Sequence, residues 1–163
     1  PEDAIEILLR GAKEAAEAAV GHEPMQRSVR FCAAELARLS RTSVAAILAA
    51  PDQAAAQAAA EWNATVVLKG HVTVVSDRDH DRFLDAPNAA LATGGSGDVL
   101  AGVVASLLAG GASPVQAAQG GVLLHAAAAR LARRERGWFL AEELPIYLGR
   151  CAERAAAEGA VFR

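Results

Sequence analysis

Two cysteines in 163 residues, Cys32 and Cys151, leave no material for a disulfide framework. Neither sits in a Cys-x-x-Cys or Cys/His spacing that would hold zinc, and no other ligand set for a metal is visible. The expectation is two buried thiols in a reducing cytoplasm. Charge of one sign is also missing. Lys and Arg number 16 against 19 Asp and Glu, a net charge of −3, and no basic block carries interleaved aromatics. That excludes nucleic acid from the partners the composition suggests. No apolar stretch is long and glycine-free enough to cross a membrane, and no signal peptide is visible. Repeats are absent, and so are low-complexity linkers beyond an alanine bias. The chain opens on Pro1 rather than Met, so its start is expected to be processed, trimmed, or the mid-point of something longer.

What is present is apolar. Hydrophobic residues make up 53% of the chain, enough for a packed core, and the length suits one domain or a large piece of one. Residues 3–20 read as a helix, with Asp3 as N-cap, Glu6 completing a capping-box pattern and Gly21 as the stop. Its apolar face of Ile5, Leu8, Leu9 and Ala12 wants a partner. Residues 21–28 read as a polar connection with His22 on the surface. Val29–Cys32 suits a short strand, Ala33–Leu39 a brief helix, Thr42-Ser43-Val44 the cap of another, and Pro51–Trp62 an alanine-rich helix. Two β-branched runs follow, Thr65–Leu68 and Val72–Val75, with a turn at Lys69-Gly70-His71. Residues 76–81 make a charged hairpin tip, and Arg82–Asp85 a third, shorter strand.

The strongest signal is residues 92–102, Ala-Thr-Gly-Gly-Ser-Gly-Asp-Val-Leu-Ala-Gly. Glycines and hydroxyls lead into an apolar run, so a flexible loop opens into a helix from Ser96 or Gly97 to about Ala109, buried on several sides. Such a junction offers unpaired N–H groups and a partial positive charge, and glycine lets a ligand approach the backbone closely. A phosphate suits that place. The plain alternative is a tight turn with Asp98 capping the helix. Beside phosphate, Asp98 would need another group to contact, such as a hydroxyl whose proton it accepts. Lys69 reads either as a solvated strand end or as an ammonium at the carboxyl end of a strand, where α/β sheets bind ligands. Asn88 is a turn residue or a ligand contact.

Gly110-Gly111 stops the helix. Ser113 and Pro114 then cap a second one running to about Arg134, with Leu123, Leu124 and Ala127 as its core stripe and arginines in its last turn. Gly137 ends it, and a last helix spans Leu140 to about Ala157 with Pro145 in its first turns. His125 reads as a satisfied core histidine, and Trp62 and Trp138 as packing residues. The order of elements points to an α/β layered domain.

Val66-Val-Leu-Lys-Gly70, Thr73-Val-Val75, and Asn88 through the glycine–aspartate run to Gly102 together resemble the ADP/ATP-dependent NAD(P)H-hydrate dehydratases. Their domain is carbohydrate-kinase-like, within the ribokinase-like superfamily. Ser113–Ala118, Gly121–His125 and Ala141–Pro145 agree, so the resemblance runs from roughly Glu35 to Leu148. It implies an α/β chain forming the C-terminal portion of a three-layer α/β/α ribokinase-like fold. Residues 1–163 would be a single, partial domain, with its nucleotide-binding part at 65–150.

The implied activity is repair of NADH or NADPH hydrated at C6 of the nicotinamide ring, at the expense of ADP or ATP with Mg²⁺. Asp98 would be the base on the C6 hydroxyl and would touch the hydrate. Gly94, Gly95, Ser96 and Gly97 would cradle the transferring phosphate. Lys69, Gly70, His71, Val72 and Thr73, with Asn88 to Thr93, would line the adenine-nucleotide pocket. The family's early strands and loops find no counterpart in this chain. Cys32-Ala33-Ala34-Glu35 also stands where the family carries His-Pro-Gly-Glu. A homo-oligomer or a complementing N-terminal chain is therefore expected. A ribokinase-like small-molecule kinase and a non-catalytic truncated module are the alternatives.

Overall fold

Why the chain turns from helix to strand near residue 63 is visible in the residues themselves. Pro51–Trp62 is rich in alanine, which forms helix at the least cost. Pro51 occupies the first turn, and Asp52 suits the positive end of the dipole. Asn63 then adopts φ 48°, a left-handed stop that few residues other than glycine and asparagine accept. The β-branched run follows at once.

The computed structural model describes residues 27–77, 81–85 and 88–157, and of 27–31 and 81–85 the backbone alone. The expected helix over residues 3–20 and the connection bearing His22 lie outside them. Two compact units are formed, one within residues 24–86 and the other within 87–163.

In the first unit, β1 (Arg27–Cys32) leads into α1 (Ala33–Leu39), α2 (Val44–Ala49) and α3 (Pro51–Trp62). Strands β2 (Ala64–Lys69), β3 (Val72–Ser76) and β4 (Asp81–Asp85) follow. The sheet order is β1-β2-β3-β4. β1 runs parallel to β2, with Cys32 opposite Lys69, and the other two pairs are antiparallel. α1 and α3 fall on the expected residues. Ser43 caps α2, its hydroxyl accepting from the N–H of Ala46 at 3.1 Å. The strands run longer than expected: Ser76 and Asp81, assigned to the hairpin tip, are a paired position in the ladder. Val66, Leu68 and Val74 pack with Leu36, Ile47 and the alanines of α3, while Thr65, Val67, Thr73 and Val75 are buried as well. Burial on both faces is why these strands read as continuous apolar runs rather than alternating ones.

The second unit is helical. A 3₁₀ turn (Ala89–Ala92) precedes α4 (Ser96–Ala109) and α5 (Pro114–Arg136). A second 3₁₀ turn (Ala141–Glu143) then leads into α6 (Leu144–Ala157). Ser113 and Gln116 form a full capping box at α5, and Gly137, with φ 89°, ends it as expected, the helix reaching Arg136. The last helix starts at Leu144 rather than Leu140, because the 3₁₀ turn takes up the intervening residues.

Four expectations about burial are corrected. α4 buries one face, Ser96, Leu100, Val104 and Leu107, and leaves Ala101, Gly102 and Ala105 exposed. Small residues carry no mark of which side faces the core. On α5, Leu123 is 52% exposed. The buried stripe there is built from Ala117, Ala118, Gly121, Ala128, Ala129 and Ala132 with Val122 and Leu124. Small residues let α5 approach its neighbours closely, and at Gly121 a Cβ would lie 2.6 Å from Cγ2 of Val104. Trp138 is exposed, with the Arg133 guanidinium 4.5 Å from its ring centroid, whereas Trp62 packs as expected. Neither thiol is fully buried: Cys32 is exposed and Cys151 half-buried, where desolvation pushes its pKa up.

α5 and α6 are pinned on the outside by a two-pronged contact, Arg150 Nη1 and Nη2 donating to Glu135 Oε2 and Oε1 at 2.6 and 2.8 Å. Those hydrogen bonds hold the Glu135 carboxyl below its ordinary value. A depressed carboxylate stabilises the fold above the unfolded pKa of about 4.3, and that contribution fades as pH falls through the folded value. Glu135→Gln is therefore expected to cost a small amount of stability at neutral pH, the pair being exposed. In urea unfolding, its difference from the parent protein should shrink as pH drops below about 4. A difference independent of pH would remove the ion pair as its cause.

Candidate functional site

The loop before α4 takes its shape from two demands on one residue. Gly95 is the N-cap of α4 with φ 87° and ψ −18°, a conformation that L side chains rarely adopt. A Cβ there would also stand 3.2 Å from the Cβ of Ala141. At Gly94 a Cβ would meet nothing within 4 Å, so that side of the loop is open.

Ser96 does not offer its hydroxyl to a ligand. The side chain is buried, and Oγ donates to the carbonyl of Leu91 at 2.7 Å, tying the 3₁₀ turn to the start of α4. The Ser96 carbonyl lies 2.9 Å from Nε2 of the buried His125 on α5. A carbonyl only accepts, so Nε2 carries the proton. His125 is the satisfied core histidine expected, and it also braces the loop. That second role was invisible in sequence, because nothing in the spacing of residues 96 and 125 announces a contact.

The backbone N–H groups divide into spent and open. Those of Asp98 and Val99 both donate to the Gly95 carbonyl, at 3.0 and 3.1 Å, and that of Ser96 reaches Thr93 only at 3.4 Å. The N–H groups of Gly94, Gly95 and Gly97 have no acceptor among the described residues. Three such donors stand at the positive end of a 14-residue helix, a place that suits an anion. The Asp98 side chain is exposed in the first turn of the same helix. Asn88 caps the 3₁₀ turn, its Oδ1 accepting from Ala90 N–H at 3.1 Å, and Thr93 closes that turn. The stretch 88–98 is thus one connected structure on the second unit.

Residues 69–73 belong to the first unit. Lys69 ends β2, half-buried, beside Cys32 at the carboxyl ends of the parallel pair. This is the strand-end position expected for it. Gly70 is held by a close approach, a Cβ there lying 3.0 Å from the carbonyl oxygen of Val72. His71 and Val72 are exposed, while Thr73 is buried on β3. Cys32-Ala33-Ala34-Glu35 opens α1, with the Glu35 carboxylate accepting from Cys32 N–H at 2.7 Å. Among the described residues, no group of three or more His, Cys, Asp or Glu is placed to hold a metal ion. No described helix is long and apolar enough to cross a membrane.

A β-α-β sheet unit, a glycine loop opening a helix and an aspartate one residue past its last glycine define an α/β protein of the ribokinase-like class, and its fold neighbours agree. Within that class the chain belongs to the NAD(P)H-hydrate dehydratase family, whose pattern matches residues 33–149. It is 46% identical over 105 residues to the ADP-dependent (S)-NAD(P)H-hydrate dehydratase of Neisseria meningitidis serogroup B, covering 64% of this chain and 36% of that one. It is 42% identical over 104 residues to a bifunctional NAD(P)H-hydrate repair enzyme of Moorella thermoacetica, covering 63% of this chain and 20% of the relative. Among solved structures it resembles the ADP/ATP-dependent NAD(P)H-hydrate dehydratase of Bacillus subtilis co-crystallised with ATP and Mg²⁺. The TM-score is 0.73 at 31% identity, covering 78% of this chain and 47% of that one. The chain thus spans about half of that structure and about a third of the Neisseria relative.

Proposed function

We propose that this chain binds ADP or ATP through the glycine loop and serves the ADP/ATP-dependent dehydration of hydrated NADH and NADPH. The observation that carries the proposal is the cradle of open N–H groups at Gly94, Gly95 and Gly97 with Asp98 exposed in the next turn. An anion cradle alone suits any phosphate. A carboxylate beside it suits a phosphoryl acceptor whose proton must be removed.

The chemistry balances as follows. Asp98 takes the proton of the C6 hydroxyl while that oxygen attacks the terminal phosphorus, and the bond to the leaving AMP (from ADP) or ADP (from ATP) breaks. The C6–O bond then breaks, inorganic phosphate leaves, a ring proton is lost and the ring double bond re-forms. The N–H groups stabilise charge on the transferring phosphoryl, the larger part of catalysis for such transfers. A magnesium ion, where present, would be carried by the nucleotide phosphates and would neutralise their charge. Residues 65–150 form the nucleotide-binding part. Within it, Lys69 to Thr73 and Asn88 to Thr93 are assigned to the nucleotide. A repair reaction on reduced nicotinamide nucleotides is placed in the cytoplasm.

Incubation with hydrated NADH and ADP or ATP, followed by the absorbance of NADH, tests the reaction. Recovery is expected. ATP consumption with an added alcohol and no recovery would replace this reading with a small-molecule kinase, and no turnover of either kind would leave a non-catalytic module. Lys69→Ala is expected to weaken ADP binding about 10- to 100-fold, the loss of one charge-assisted contact. Unchanged affinity in a calorimetric titration would remove Lys69 from the site.

A further inference from the structure

Ser96 is held at two atoms, and only one of the two contacts is local. Its hydroxyl donates to the Leu91 carbonyl, five positions back, at 2.7 Å. Its carbonyl lies 2.9 Å from Nε2 of His125, 29 positions on. Both side chains are buried, with residue exposures of 4% for Ser96 and 3% for His125. The buried stripe of α5 around this histidine is built largely from alanine, with Ala118, Ala126, Ala128 and Ala129 on it. Burying an imidazole there is costly unless its hydrogen bonds are met. Filling the space alone would need no nitrogen, since a leucine would do so with an apolar surface.

What the bond adds lies on the far side of the same peptide. The Ser96 carbonyl and the Gly97 N–H belong to one planar, trans unit, so they point in opposite directions and turn together. Fixing the oxygen fixes the hydrogen. Within α4 that carbonyl accepts from the N–H four residues on, but it has a second lone pair, and helix ends fray. His125 takes the second position from a different helix. Gly97 N–H is one of the three open donors of the loop, and the one next to Asp98 in the chain. A hydrogen bond accepted at the carbonyl also polarises the N–H of its own unit, which strengthens it as a donor.

We infer that His125 is a positioning residue for phosphate: through the Ser96 carbonyl it aims the Gly97 N–H at the phosphoryl group received by the loop. The inference deepens the nucleotide reading above and rests on it. Being buried, His125 touches no ligand itself and acts only through that peptide. The N–H groups of Gly94 and Gly95 lie outside the peptide it holds, so its loss weakens one donor of three.

The test compares His125→Leu, which fills the space without a donor, with His125→Gln, whose side-chain amide reaches the same carbonyl. Each variant is first verified as folded by circular dichroism. By calorimetry in the presence of Mg²⁺, His125→Leu should raise the Kd for ADP and for pyrophosphate by the same factor, about tenfold, the lower end for a lost hydrogen bond to a charged group. His125→Gln should stay within about threefold of the parent. An unchanged Kd in His125→Leu, or a glutamine variant as weak as the leucine one, would overturn the inference and leave the nucleotide reading intact. So would a loss for ADP without one for pyrophosphate, because the bond acts on phosphate alone. A second measurement needs no variant. In an amide NMR spectrum of the parent protein, titration with pyrophosphate should shift the Gly97 resonance saturably, together with those of Gly94 and Gly95. A Gly97 resonance that stays still while the other two move would also overturn it. If neither ADP nor pyrophosphate binds the parent protein, both readings fall.

Discussion

Asp98→Asn should abolish recovery of NADH from its hydrate, a loss of roughly 10²- to 10⁴-fold for a missing general base, while ADP affinity stays within about twofold. Asparagine keeps the size and polarity of the side chain but cannot take the proton. The competing role for Asp98 is a carboxylate suited to the positive end of α4, in whose first turn it stands. That role is worth about 0.3–1 kcal/mol of stability and nothing in turnover. The two roles therefore separate cleanly. If turnover survives the substitution and only thermal stability falls, Asp98 belongs to the helix and not to the chemistry. If ADP affinity and turnover fall together, it is a nucleotide contact and the base must be sought elsewhere.

Gly121→Val should cost about 3 kcal/mol in denaturant unfolding, at the upper end of overpacking penalties. The first added carbon would already lie 2.6 Å from Cγ2 of Val104, and two more must follow. Val104 cannot swing aside cheaply, since a β-branched side chain in a helix has one strongly preferred rotamer. Val104→Ala in the same chain should restore at least half of the loss, and a double-mutant cycle isolates that coupling. The consequence reaches the site. His125 lies one helical turn beyond Gly121 and holds the Ser96 carbonyl at 2.9 Å. A wedge between α4 and α5 therefore loosens the brace under the glycine loop, and ADP affinity should fall with stability. A Gly121→Val protein as stable as its parent would contradict the close approach of the two helices.

Local chemistry was legible in the sequence wherever it is self-contained. Ala33–Leu39 and Pro51–Trp62 were readable to the residue because propensity, caps and stops all act within a few positions. So was the loop-to-helix junction, since glycine at 95 answers a demand of its own backbone, φ 87°. What escaped was decided by distant partners. Leu123 looked like core because it is large and apolar, yet α5 buries its small residues and turns Leu123 outward. Trp138 looked like core for the same reason. The partner of the Ser96 hydroxyl, the Leu91 carbonyl, could not be read from the sequence either. His125 was read as core without its target, 29 positions away. The resemblance pointed to Asp98 and the glycines; only the fold distinguished the N–H groups that are open from those already used.

The proposed function requires that the loop at Gly94–Gly97 receive nucleotide phosphate. Calorimetric titration of the chain with ADP in the presence of Mg²⁺ tests it most directly, with a Gly95→Ala variant alongside. A left-handed backbone position costs an alanine about 1–2 kcal/mol, and reshaping the loop scatters its open N–H groups. The expected result is saturable binding to the parent protein at one site, weakened at least tenfold in the variant. A flat isotherm, or equal affinity in the two proteins, would contradict it.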